Sequence, residues 1–121
     1  MQSAAQAYGA VARQAANPRE LEVSLLLKAA SQLQSVCDDW DRKHADLELA
    51  LRYNRKLWSV LLASVTDPDH PLPVAIRQNV ANLGMFVMSH TMAVMNNPRP
   101  EQLNTLVNIN RMIAAGLVDR A

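Results

Sequence analysis

Two asparagines occupy positions where an amphipathic helix would ordinarily carry an apolar side chain. Asn54 lies seven residues after Leu47 and seven before Leu61, on the apolar face of the stretch 47–65. Asn110 falls in the same way among the apolar residues of the C-terminal stretch. A buried amide without a partner costs about 1–3 kcal/mol, so we expect both amides to be hydrogen-bonded. We interpret them as structural polar groups that fix which helices meet, with direct contact to a partner as the alternative.

A second stripe runs beside the main apolar stripe of the predicted fourth helix, and it consists of methionines: Met85, Met88, Met92 and Met95. The sequence from Gln78 to Pro98 contains no Asp, Glu, Lys or Arg. One interpretation is a central helix contacted by neighbours on two sides. The other is a surface that adapts to a partner helix, because unbranched thioethers repack at little cost. The four methionines are therefore candidate partner-binding residues, and Tyr8 near the N-terminus is a further candidate.

Residues typical of catalysis or metal binding do not form a recognisable pattern. His44, His70 and His90 are far apart and lack a second ligand at helical spacing, so we expect neither a metal nor a cofactor. Cys37 has no nucleophile signature around it and is predicted to be a small buried residue. A phosphate-binding glycine loop, a carboxylate pair and a Ser/His/Asp signature are all lacking, and the sequence predicts no enzyme.

The charged residues argue against direct nucleic-acid binding. The net charge is +1, whereas a nucleic-acid footprint usually needs a concentrated basic face. Arg52, Arg55 and Lys56 are expected to form a solvated helix face. They could contact RNA, but no aromatic platform accompanies them. Trp58 is predicted to anchor the core rather than to serve as an interface hot spot.

The elements that would position these residues are helices. The chain has 121 residues, which fits one domain, and only three glycines, too few for a turn-rich β fold. Its apolar mass comes from alanine, leucine, valine and methionine, which favours helices over strands. We predict an all-α single domain over residues 1–121, with residues 1–17 as a mobile N-terminal arm that contains a short, marginal helix. The four long helices are predicted over 18–37, 42–65, 74–95 and 101–118, with neighbours antiparallel.

The sequence also suggests where the protein resides. A lone cysteine cannot form an internal disulfide, which suits a reducing compartment. The N-terminus has no basic region followed by an apolar core, so no secretory signal is predicted. The uncharged stretch in the fourth helix is too rich in asparagine, serine and histidine for a membrane span. We therefore expect a cytoplasmic protein.

Several short sequence blocks follow one another along the chain in a distinctive order and spacing. The two most informative runs are YNRKLW at 53–58 and LVNINR at 106–111, the latter followed by Gly116-Leu117. Further blocks are Ala7-Tyr8, NPRELE at 17–22, Leu72-Pro73, Ile76-Arg77, residues 83–87 and His90-Thr91. Together these blocks extend over nearly the whole chain, and in their order and spacing they resemble the flagellar biosynthesis regulator family FlaF.

The resemblance implies a regulator that binds flagellin in the cytoplasm and assists its synthesis and export, as a flagellin secretion chaperone. It also implies work alongside a second regulator, FlbT, which acts on flagellin translation. The mechanism that we expect is helix-in-groove binding of flagellin's terminal segments. The main alternative is a post-transcriptional regulator that binds flagellin mRNA directly, which would require a clustered basic surface. A small enzyme would require a pocket with converging titratable groups.

Overall fold

All regular structure in the described part of the chain is helical. The computed structural model describes residues 18–118, so the arm with Tyr8 lies outside the described residues. The helices are α1 (Pro18–Asp38), a single turn α2 (Trp40–Lys43), α3 (Leu47–Val65), α4 (Val74–Asn96) and α5 (Pro100–Val118). The predicted all-α fold with four long helices is confirmed. The bounds of α1, α4 and α5 agree with the prediction to within one residue, which is the ordinary uncertainty of a helix end.

The predicted third helix, 42–65, is wrong at its start. The regular helix begins only at Leu47, after α2 and a 3₁₀ turn, His44–Asp46. None of the residues 41–46 is buried, so no packing energy holds this stretch in a continuous helix. Lys43 donates a 2.7 Å hydrogen bond from Nζ to Ser35 Oγ of α1, which keeps this segment beside α1. The tighter 3₁₀ turn then redirects the chain so that Leu47 enters the core.

The four long helices enclose one core. α1 packs most extensively against α5 and also against α3, while α4 packs on α3 and approaches α5 at few places. The apolar faces predicted from helical spacing supply the core. Its largest fully buried apolar side chains are Trp58, Leu26, Leu33, Leu51, Leu103, Leu106, Val87, Val94 and Val107. α4 therefore has fewer neighbours than α1, and part of its circumference faces solvent.

Two contacts fix α4, one with α3 and one with the loop between α3 and α4. At Gly84 the helices approach so closely that an added Cβ would lie 2.5 Å from Leu62 Cδ2. At the other contact, Arg77 Nε donates to the Leu72 carbonyl at 3.0 Å and Arg77 Nη1 donates to the Asp67 carbonyl at 3.2 Å. The guanidinium thus holds the loop between α3 and α4 in place. These contacts orient α4 and decide which of its side chains remain outside.

Candidate partner-binding face

A buried amide network ties three helices together beneath the surface. Trp58 Nε1 of α3 donates to Asn110 Oδ1 of α5 at 2.9 Å. Because the indole nitrogen can only donate, it fixes the orientation of the Asn110 amide. Asn110 Nδ2 then donates to Asn54 Oδ1 at 2.7 Å and to the Leu26 carbonyl of α1 at 3.3 Å. Asn110 is the hub that joins α1, α3 and α5.

Both asparagines and the tryptophan are fully buried. In the folded domain these side chains are inaccessible to a partner, and their hydrogen bonds join α1, α3 and α5. Asn54 Nδ2 has no hydrogen-bond partner among the described residues. This amide therefore contributes one good hydrogen bond and one desolvated, unpaired donor, so its net contribution is smaller than that of Asn110.

Three of the four candidate methionines lie at the surface. Met85 is 66% exposed, Met92 52% and Met95 45%. Met88 differs because it is half-buried and packs against the core. The four methionines therefore differ in environment: Met88 lies at the edge of the core, whereas Met85 faces solvent. We call the outward part of α4, made of Val74, Met85, Met92 and Met95, the methionine face.

The methionine face runs along most of α4. Val74, at its start, is 70% exposed and lies eleven residues, or three turns, before Met85 on the same side. The distance along the axis from Val74 to Met92 is about 27 Å at 1.5 Å per residue, which is enough for a partner helix of five turns. Val74 was not predicted as part of this surface, although its eleven-residue spacing from Met85 is a signal that could have identified it.

The two edges of the methionine face differ in chemistry. On one side α4 presents neutral polar residues, where Gln78 Nε2 donates to Asn82 Oδ1 at 3.1 Å. On the other side Arg52 and Arg55 of α3 line a small cleft together with Met95. Arg52 also forms an exposed 2.6 Å ion pair with Glu48. The apolar strip therefore has a neutral edge and a basic edge.

An aromatic contact lies on a different side of α4, towards α5. The rings of Phe86 and His90 stack with centroids 5.3 Å apart. His90 Nε2 is 3.0 Å from the Gln102 carbonyl of α5, so this contact is one of the few between the two helices. Phe86 is 45% exposed, and sequence analysis did not single it out. This contact attaches the Phe86 side of α4 to α5, while Phe86 itself is as exposed as Met95.

Within residues 18–118 the isolated titratable groups do not converge on a site. Cys37 is only half-buried, so the prediction of a buried thiol was wrong in degree. Its Sγ donates weakly to the Pro100 carbonyl at 3.4 Å, and burial, followed by Asp38 and Glu101, raises the pKa of the thiol. Burial likewise raises the pKa of Glu22, opposed by nearby His70 and Arg19.

Two negative findings concern residues 18–118 only. Within this range no three His, Cys, Asp or Glu side chains are grouped so that they could hold a metal ion. None of the helices in the same range is long and apolar enough to cross a membrane.

Comparison with known proteins gives a family match. The family model described as flagellar protein FlaF matches residues 4–117, nearly the whole chain. The match includes α1 to α5 except for the last residue of α5, and most of the arm before α1. Neither a curated protein nor a solved structure matches the chain significantly.

Proposed function

This chain belongs to the FlaF family of flagellar proteins, and we propose that it binds flagellin in the cytoplasm and assists its synthesis and export. It would act alongside the regulator FlbT. The observation that carries the proposal at the level of structure is the methionine face, an uncharged apolar strip on a helix that is incompletely covered. Apolar strips of this kind serve partner helices in helix-in-groove recognition.

The chemistry of the face suggests which helix it would take. Flexible thioethers adjust to side chains of different shape, which suits a chaperone that must hold and then release its client. The basic edge formed by Arg52 and Arg55 favours a client helix that carries acidic residues along one border of its apolar stripe. A terminal segment of flagellin bound here would have its apolar face covered and would be kept from assembling early.

The test replaces the exposed part of the face. The variant Met85→Glu/Met92→Glu places two carboxylates where the client would pack, and we expect affinity for purified flagellin to fall by about a hundredfold or more. Helix content and melting temperature should hardly change, because substitutions at exposed positions usually cost under about 0.5 kcal/mol. Met88 is left in place because it packs against the core.

The matched control is Met112→Glu/Val118→Glu on α5, where the native side chains are 59% and 56% exposed. This control should bind flagellin as the wild type does. Loss of binding in the control with retained binding in the α4 variant would place the interface elsewhere and refute the assignment. A parallel titration of the flagellin mRNA leader over a salt series tests the RNA alternative, since direct phosphate contacts would give steeply salt-dependent binding.

A further inference from the structure

Four of the six methionines in the chain lie within residues 85–95 of α4. Met85, Met92 and Met95 are exposed, whereas Met88 is half-buried and packs against the core. A thioether is the one group on this face that a small oxidant in solvent can modify, and its exposure decides how readily it reacts. The same helix therefore carries three accessible thioethers and one that is shielded.

Hydrogen peroxide, a small neutral oxidant, converts a thioether to a sulfoxide without a further co-reactant. The sulfur lone pair attacks one peroxide oxygen, and an S–O bond forms as the O–O bond breaks. A proton moves to the departing oxygen, which leaves as water. The sulfur is oxidised by two electrons and the peroxide is reduced by two. The product carries a polar oxygen where the side chain was apolar.

We propose that peroxide oxidation of Met85, Met92 and Met95 to sulfoxides reversibly prevents binding at the methionine face. The proposal rests on the proposed function, because it requires a flagellin helix to cover this face. A sulfoxide oxygen under that helix would lose its water, and the stretch from Gln78 to Pro98 contains no Lys or Arg to donate to it. Each buried sulfoxide should therefore weaken binding by about tenfold.

Oxidation of Met95 would also affect the basic edge of the face. Met95 lines a small cleft together with Arg52 and Arg55 of α3. A guanidinium donates hydrogen bonds and a sulfoxide oxygen accepts them, so oxidised Met95 can engage these arginines. An arginine engaged in this way is less available to an acidic residue of the client. Oxidation thus acts on both the apolar strip and the basic edge.

The position of the three exposed methionines makes this modification compatible with an intact, reusable domain. Their side chains lie outside the core, so their oxidation should leave the fold unchanged. Met88 differs, because a polar oxygen there would be placed against the core. Methionine sulfoxide reductases restore the thioether with a dithiol, which becomes a disulfide while the oxygen leaves as water. Binding should therefore return after reduction.

Peptide mapping by mass spectrometry, on the full chain treated with graded hydrogen peroxide, tests the first step. We expect Met85, Met92 and Met95 to be oxidised before Met88, together with Met112, which is 59% exposed on α5. Treatment with dithiothreitol then returns reversibly oxidised Cys37 to the thiol and leaves the sulfoxides in place. Circular dichroism should show unchanged helix content. Oxidation of Met88 ahead of the other three would overturn the proposal.

Affinity for purified flagellin is then measured before peroxide, after peroxide, and after treatment with the reductases for both sulfoxide epimers. The wild type should lose about a hundredfold or more in affinity and regain it on reduction. Met112→Leu, the matched control on α5, should respond as the wild type does. In Met85→Leu/Met92→Leu/Met95→Leu the affinity should be the same before and after peroxide, because leucine is apolar and resists oxidation.

The possible results separate this proposal from flagellin binding itself. Unchanged affinity of the wild type carrying all three sulfoxides would overturn the oxidation proposal and leave the proposed function intact. Equal peroxide sensitivity in the triple leucine variant would also overturn it, because the loss would then arise at another residue. Failure of the untreated wild type to bind flagellin would refute the proposed function, and the oxidation proposal with it.

Discussion

Asn110 and Asn54 have the same side chain, but we expect replacement of Asn110 to destabilise the fold more, because Asn110 makes more of the buried hydrogen bonds. In Asn110→Ala the Trp58 N–H loses its acceptor and the Asn54 amide loses its partner. Each orphaned buried group costs about 1–3 kcal/mol, so the variant should lose about 3–5 kcal/mol of unfolding free energy. Since a domain of this kind has about 5–15 kcal/mol in total, Asn110→Ala should be close to the limit of stable folding.

Asn54→Ala should cost much less. It removes one hydrogen bond, worth about 1 kcal/mol, and Asn110 Nδ2 keeps the Leu26 carbonyl as an acceptor. It also removes an Nδ2 donor that has no partner among residues 18–118, which offsets part of the loss. We expect a net cost of about 0.5–1 kcal/mol. Asn54→Asp should be worse near neutral pH, because burial raises the pKa of the new carboxyl and its destabilisation grows as the pH rises above about 4.

Urea unfolding followed by far-ultraviolet circular dichroism measures both costs on one scale. Asn108→Ala is the matched control, since Asn108 is an exposed asparagine two residues before Asn110, and it should stay within about 0.5 kcal/mol of the wild type. Thermal midpoints should fall by about 3–4 °C per kcal/mol for a domain of this size. Equal losses for Asn54→Ala and Asn110→Ala, or a larger loss for Asn54→Ala, would refute the assignment of Asn110 as the hub.

Two further predictions concern glycines and a carboxylate. Gly84→Ala should lower the unfolding free energy by about 1–3 kcal/mol because the new Cβ would collide with Leu62, whereas Gly116→Ala, with nothing within 4 Å, should raise it by up to about 1 kcal/mol through helix propensity. Urea unfolding of the pair checks both signs, and a stabilising Gly84→Ala would contradict the close approach of α3 and α4. Burial raises the pKa of Glu22 in the folded protein above its value in the unfolded chain. The stability that Glu22 contributes is therefore fully present at a pH below the unfolded pKa, and it is lost as the pH rises through the folded pKa. Glu22→Gln should therefore raise the melting temperature near neutral pH and flatten its dependence on pH above the unfolded pKa of glutamate, about 4.3; an unchanged pH profile would count against this burial effect.

Helical periodicity predicted most of this fold because long amphipathic helices with proline-containing loops leave few alternatives. The placement of Asn54 and Asn110 on apolar faces followed from seven-residue spacing alone. Their mutual hydrogen bond did not, because which two faces meet depends on the tertiary arrangement of α3 and α5. The break before Leu47 was missed for a related reason. Residues 42–46 are compatible with a helix locally, and only the absence of burial shows why the helix does not continue there.

The methionine face illustrates a second limit of sequence patterns. Spacing placed four methionines on one side of α4, but it could not decide whether that side meets a neighbour. The structure divides them, with Met88 against the core and the other three exposed to differing degrees. The division follows from the close approach of α4 to α3 at Gly84, together with the hydrogen bonds of Arg77 to the loop between the two helices. The residue pattern of a single helix does not determine which of its faces will contact a neighbouring helix.

The buried amides and the exposed methionines are connected by a single physical requirement. A small helical domain that leaves apolar side chains such as Met85 in solvent risks packing that face into its own core in an alternative arrangement. The network at Asn110 opposes this, because any rearrangement that separates α1, α3 and α5 orphans the Trp58 donor and both amides. The core thus gains specificity from polar groups that add little net stability. That specificity is what allows α4 to keep an apolar face in solvent, where we propose that flagellin binds.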